Sequence, residues 1–335
     1  MVKTEQATRR NFLKGATAAA IAAMVRPAVA QPIPADKPDA VPPMSFKDRL
    51  RGPVYSNPCP FKADLSLDDD AQKKAIRRAL RAGIGVFATT AGNSQYATLS
   101  FDEVKQLNRV MIEAVASGAL TIAATGDWTT EQAIEFAHFV QDLRADALQV
   151  MLPKALAENE DGVVKHFESI ASSTKLPIVL HGKYSDALLA KLVKIDSVQA
   201  MKEDSLLEDY VRQLIDHGNR INIFGGGGEN RYYVGYPYGA KAYYSTYSTF
   251  APDIAASVYK VIQTGDIKAA AAMTAKYDYP FIRRFSHGMW HATLELFHIG
   301  TRHVRAPQKV LTDEQVADLK KFFEAQGVSP DRYAD

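Results

Sequence analysis

Cysteine is almost absent: Cys59 is the only one in 335 residues. A single thiol excludes an internal disulfide and any cysteine-built metal or iron–sulfur site. Basic runs interleaved with aromatics are missing as well. Charge is nearly balanced, with 40 Lys and Arg against 38 Asp and Glu. That leaves no electrostatic footprint for nucleic acid, and no such partner is expected. The one sustained Ala-rich apolar run, near the N-terminus, is too short and too weakly apolar to span a membrane. The turn after the first strand-like run, Asn57 to Pro60, lacks the glycines of a dinucleotide phosphate cradle. The strand ends lack a His-x-His pair and clustered carboxylates, which disfavours a metal-dependent barrel hydrolase.

What is present begins at the N-terminus, TRRNFLKGATAAAIAAMVRPAVAQ from Thr8 to Gln31. Arg9 and Arg10 precede Phe12, Leu13 and Lys14, and a mildly apolar run leads to Ala28, Val29 and Ala30. This resembles a twin-arginine (Tat) export signal with cleavage after Ala30. The resemblance implies the Tat export machinery as a partner and the periplasm as the destination. Folded export without disulfides is compatible with that compartment. Residues 31–51 then read as a Pro-rich tether.

From residue 52 on, short apolar runs alternate with amphipathic helical patterns. The runs fall at 53–56, 84–89, 120–125, 147–152, 177–182, 197–202, 221–226 and 240–246. Most are continuous rather than alternating, as in parallel strands covered on both faces. Helix starts lie between them: Ser100 with Glu103, Thr129 with Gln132 and Ser205 with Glu208 all have capping-box spacing. Gly83 and Gly118 stand where helices should end. Strand–helix units of roughly 20 to 35 residues, repeated in this way, are the signature of a (β/α)8 TIM barrel. The barrel is predicted over 52–265. A C-terminal helical extension follows over 266–335, with helices at 266–285, 288–299 and, after a Thr312–Gln315 capping box, 313–326.

In such a barrel, chemistry sits at the C-terminal ends of the strands. Lys202 closes the sixth strand, in SVQAMK. Apolar strand ends around an amine disfavour its charged form, and a neutral amine is what imine formation with a ketone requires. The alternative is a lysine that snorkels to the rim or pairs with Glu203 or Asp204.

The order of motifs adds to this. GVFATTAGNSQYATLSFDE (85–103), ADALQVMLPKALAENEDGVVKHFESIA (145–171), LPIVLHG (176–182), AMKED (200–204), GAKAYYSTYSTFAP (239–252) and VRAPQKVLTDEQ (304–315) follow one another. Together they resemble the dihydrodipicolinate synthase / N-acetylneuraminate lyase family, the class I pyruvate-dependent aldolases. The resemblance implies that Lys202 forms a Schiff base with a 2-oxo acid. His181 takes the place of the family's proton-shuttling tyrosine, and imidazole can transfer protons near neutral pH. By the same resemblance Thr90 orients His181. Thr89 and the turn Gly92, Asn93 and Ser94 hold the substrate carboxylate, with Gly92 to Ser94 as a small anion nest. The family's G-R-T-G loop after strand five is shortened by about seven residues. Lys183 stands there and supplies a positive charge without the fork of a guanidinium. Lys154 and Ala155 replace the tyrosine pair that reaches a neighbouring subunit. Gly225 and Gly226, in FGGGGE after strand seven, make room for substrate.

His287, His291 and Glu295 share one helix face at metal-ligand spacing, but they lie in the extension and lack the inner glutamate of H-E-x-x-H. Packing histidines are the favoured reading there, and no metal or organic cofactor is expected. The sequence therefore reads as an exported Schiff-base lyase, an aldolase, synthase or hydratase, with its imine on Lys202. A periplasmic protein that binds a small acid or sugar acid on the same fold, without turnover, is the alternative. Assembly as a homo-oligomer, dimer or tetramer, is expected from the resemblance.

Overall fold

The eight apolar runs pair in chain order and close on themselves. In the computed structural model, which describes residues 44–334, the strands are β1 (Gly52–Ser56), β2 (Val86–Ala88), β3 (Leu120–Ala124), β4 (Ala147–Met151), β5 (Ile178–His181), β6 (Val198–Glu203), β7 (Asn222–Gly225) and β8 (Ala242–Ser245). Every neighbouring pair is parallel, and β1 pairs with β8 to complete a closed barrel. The fold is a (β/α)8 TIM barrel followed by C-terminal helices, as the alternating pattern predicted. The twin-arginine segment lies outside the described residues.

Residues 46–51, within the stretch read as a tether, belong to the barrel. A short helix, Phe46–Arg49, tucks Phe46 and Leu50 among the inward-facing residues of the strands. The side-chain amide of Asn222 donates to the carbonyls of Lys47 and Leu50, 2.8 Å each, and ties this segment to the start of β7. The N-terminal end of the barrel is thereby closed, which leaves the C-terminal end for chemistry.

The capping boxes form at Ser100–Glu103, Thr129–Gln132 and Thr312–Gln315. The one expected at Ser205 does not. Glu203 accepts hydrogen bonds from the Ser205 N–H (2.7 Å) and from its hydroxyl, so that hydroxyl is taken before the helix Leu207–His217 begins. Gly83 has a positive φ of 83° after the helix Asp69–Arg81, as expected of a terminating glycine. After the helix Phe101–Val115 it is Ala116, at φ 48°, and not Gly118, that takes a positive φ. The extension runs Ile267–Met273, a π turn over Thr274–Asp278, Tyr279–Arg284, His287–Leu296 and Asp313–Ala325.

Arg305, from the VRAP stretch, clamps this extension to the barrel. Its guanidinium donates to both oxygens of Glu103, at 2.9 and 2.6 Å, and to the carbonyls of Leu65 and Thr98. These bonds hold the Glu103 carboxyl down at about 2, against an ordinary 4.5. A carboxyl lowered on folding adds stability above its ordinary value and loses it as pH falls toward the folded one. Glu103→Gln keeps the capping geometry and removes the charge. It should cost on the order of 1 kcal/mol at neutral pH, after allowing for the pair's partial contact with water. Urea unfolding should show the gap from the unsubstituted protein narrowing between about pH 4.5 and pH 3.

Candidate active site

Side chains alternate along a strand, so the residues two apart share a side. Ala147, Val179, Ala200 and Ala242 face the barrel interior. Two residues on, Gln149, His181, Lys202 and Tyr244 therefore face inward at the C-terminal end. Register brings His181 beside Lys202 across β5 and β6. Lys202 is 7% exposed, and Gln149 is fully buried. The same alternation sends Glu203 outward, where it accepts from Arg231 at 2.6 Å. Asp204, two past Lys202, returns to the lysine's side.

The result is a connected polar cluster. Lys202 Nζ donates to Asp204 Oδ2 and lies 3.2 Å from His181 Nε2. His181 Nε2 is also 3.2 Å from Asp204 Oδ2. On its other edge, His181 Nδ1 is 3.3 Å from the Gln149 amide nitrogen. The Tyr244 hydroxyl donates to Gln149 Oε1 at 3.1 Å. The Tyr244 ring centroid lies 5.3 Å from Lys202 Nζ, and that ring stacks on Phe224. The expected apolar surround is therefore found on one side of the amine only. On the other side stand a carboxylate and an imidazole.

Burial alone would hinder ionisation of Asp204, and it is the largest single influence. The Lys202 ammonium and the His181 ring together outweigh it, and the carboxyl is held well below its usual range. His181 moves the other way. Burial disfavours the imidazolium, Lys202 adds to this, and Asp204 opposes it, so the net shift is downward and the ring is neutral at pH 7. A neutral imidazole whose lone pair is on Nε2, 3.2 Å from the amine, can accept its proton. Glycine at 226 leaves room for the Lys202 and Asp204 side chains in their observed positions. A Cβ there would stand 2.9 Å from Lys202 Nζ and would overlap Asp204 Oδ1. Gly225 is crowded in the same way by the Arg231 side chain.

The strand-two turn differs from expectation in its side chains. The Thr89 hydroxyl donates to Asn108 Oδ1 (2.7 Å) and accepts from the Ala124 N–H (3.0 Å), so it serves the scaffold. Thr90 makes no bond to His181; its N–H donates to Ser94 Oγ at 3.2 Å. Gln149 and Asp204, and not Thr90, orient the imidazole. The Ser94 hydroxyl donates to the Asn57 carbonyl, and the Asn93 amide donates to Ser56 Oγ. What remains for an anion is backbone. Among the described residues no group accepts from the N–H of Ala91, Gly92 or Asn93. Lys183 is exposed beside β5.

In the extension, His287, His291 and Glu295 do not converge. His291 is fully buried, stacks on Phe61 and lies 2.6 Å from the Gln95 amide nitrogen. Glu295 accepts from the Arg302 N–H. Among the described residues no group of three or more His, Cys, Asp or Glu is placed to hold a metal ion.

Comparison with known proteins accords with the fold. Residues 51–326 match the model of the dihydrodipicolinate synthetase family. The chain belongs to that family. Within it, the chain is 29% identical over 291 residues to a probable 5-dehydro-4-deoxyglucarate dehydratase 2 of Streptomyces avermitilis, covering 81% of this chain and 86% of that protein. It is 27% identical over 229 residues to the 4-hydroxy-tetrahydrodipicolinate synthase of Anaplasma marginale, covering 66% and 76%. In fold it resembles dihydrodipicolinate synthase from Bacillus clausii, with a TM-score of 0.77 at 22% identity over 84% of this chain and 99% of that one. A putative dihydrodipicolinate synthetase from Pseudomonas aeruginosa gives 0.76 at 23% identity over 83% and 99%.

Proposed function

We propose that this family member is a class I lyase that forms an imine between Lys202 and pyruvate or a related 2-oxo acid. The position of Lys202 carries the reading: a nearly buried amine, inside the barrel, at the C-terminal end of β6. His181 takes the proton that the ammonium must lose. The freed amine attacks the ketone carbon, its nitrogen passes one proton to the resulting alkoxide, and His181 returns the other to that hydroxyl, which leaves as water and gives the iminium. In this reading the N–H groups of Ala91, Gly92 and Asn93, which have no acceptor among the described residues, receive the substrate carboxylate. The iminium then withdraws electrons from the neighbouring carbon.

The name of the Streptomyces relative's substrate fits this chemistry. A 5-dehydro-4-deoxyglucarate carries a ketone at C5 beside the C6 carboxylate, and a methylene at C4. It is a 2-oxo acid. From its imine, loss of a C4 proton gives an enamine that can expel the C3 hydroxyl as water. Dehydration, rather than condensation with a second carbonyl compound, is therefore the reaction we favour. The test is borohydride inactivation in the presence of a panel of 2-oxo acids, with substrate dehydration as the activity. Inactivation that depends on both reagents supports the imine; saturable binding with no inactivation sinks it. The latter is the signature of the second reading, a protein that binds a small acid without turnover. One observation favours that reading: Asp204 already occupies Lys202.

Export to the periplasm is proposed on the twin-arginine resemblance. Cell fractionation should find the mature protein beginning at Gln31 in the periplasm. Joint replacement of Arg9 and Arg10 by lysine should leave the uncut precursor in the cytoplasm, and a variant exported at the normal level would contradict the assignment. A homo-oligomer is likewise proposed, and light scattering of the purified protein gives its mass.

A further inference from the structure

We propose that Gln149 and Tyr244 are positioning residues that set the tautomer of His181, and so decide whether it can act as a base toward Lys202. The consequence for chemistry rests on the imine reading; the tautomer itself is a property of the unliganded protein.

An amide stands in an unusual place beside the site. Gln149 lies inside the barrel with no exposed surface. A buried amide is costly unless its groups are bonded. Its oxygen accepts from the Tyr244 hydroxyl, 3.1 Å away. That leaves the amide nitrogen, which can only donate, facing His181 Nδ1 at 3.3 Å. A neutral imidazole has one donor and one acceptor nitrogen. If Nδ1 accepts from Gln149, the ring proton is on Nε2. There it points at Asp204 Oδ2, 3.2 Å away. Two donors, Nε2–H and the Lys202 ammonium, then converge on one carboxylate, and neither can take a proton from the other.

The resting arrangement is thus a poised but inactive one. A half-turn of the Gln149 amide changes this without moving a heavy atom of its neighbours. Oε1 then faces Nδ1, and the amide nitrogen donates to the Tyr244 oxygen. The ring proton is held at Nδ1, and Nε2 presents a lone pair to Lys202 Nζ at 3.2 Å. Each arrangement makes two hydrogen bonds through Gln149, but the second takes from the buried Tyr244 O–H the acceptor it has in the first, so the first is the resting one. The imidazole exchanges its proton through Asp204, whose side chain is 37% exposed. The groups that face His181 are Lys202 of β6 and Asp204 just after it, Gln149 from β4 with Tyr244 of β8 behind it, and the Tyr184 hydroxyl against the His181 backbone.

The test is 15N NMR of the protein labelled at histidine, with the His181 signals identified by their loss in His181→Asn. The unsubstituted protein should show a protonated Nε2 and a bare Nδ1 for His181 near pH 7. Gln149→Glu puts a carboxylate opposite Nδ1, so the proton should move to that nitrogen. The pH at which His181 titrates, and with it the acid limb of imine trapping, should move up. Tyr244→Phe removes the donor that pins the amide and should raise the Nδ1-protonated fraction. A His181 already protonated on Nδ1 in the unsubstituted protein would overturn the proposal, even if neither variant folds. So would an unchanged tautomer in both folded variants. Absence of any 2-oxo acid adduct would sink the imine reading and leave the tautomer result standing.

Discussion

Lys202→Met should lose all imine chemistry while keeping its fold. Activity toward any 2-oxo acid should drop by about 10^4-fold or more, since among the described residues no other amine is bonded to His181 to take over the covalent step. Stability should change by no more than about 1 kcal/mol, because two effects oppose one another. A nearly buried ammonium is replaced by an apolar chain of similar length, which favours the variant. Asp204 loses the partner that holds its carboxyl down, which disfavours it. The orphaned carboxylate is 37% exposed and can be hydrated, so the large penalty of an unpaired buried charge does not arise. Asp204 is lowered on folding; the stability it adds is present above its ordinary value of 3.8 and is lost as pH falls. The unsubstituted protein should therefore lose more stability than Lys202→Met on going from neutral to strongly acid pH. Thermal unfolding of both proteins across that range checks the sign.

Gly226→Ala should have the next largest effect, and by position rather than by chemistry. No left-handed φ is needed at residue 226, so alanine fits the backbone. Its methyl group would meet the ends of two flexible side chains, Asp204 Oδ1 and Lys202 Nζ, and these can swing away without disturbing the barrel. The amine would then be displaced from His181. A displacement of about 1 Å at a reacting centre costs roughly 10^2-fold in rate. The expected result is a normal melting temperature with imine formation slowed by about that factor. A variant that traps substrate at the full rate would mean that Lys202 reacts from some other position.

The barrel was legible because a parallel strand and its covering helix leave local marks: a continuous apolar run, then a cap. Eight runs were enough to imply closure, and β6 ends one residue beyond the run that placed Lys202 on it. The inward face of Lys202 follows from Ala200 by the two-residue period. The same period places Asp204 beside the amine and Glu203 away from it, so that pairing was readable in AMKED. Other parts depend on contacts between distant segments. Tyr244 reaches Gln149 across 95 residues, and Asn108 captures Thr89 from the following helix. A hydroxyl in a loop looks available in sequence, and only the fold shows that Thr89, Ser94 and Ser205 already have partners. The backbone N–H groups of the strand-two turn need no particular side chain, so the carboxylate-holding role is proposed for them and not for the hydroxyls around them.

The covalent step is tested most directly by mass. The purified protein is incubated with pyruvate, reduced with borohydride, weighed intact and digested. The account predicts one added reduced pyruvate per chain, on the peptide that carries Lys202, and none without the keto acid. An unmodified Lys202 under conditions where pyruvate saturates the site would contradict it.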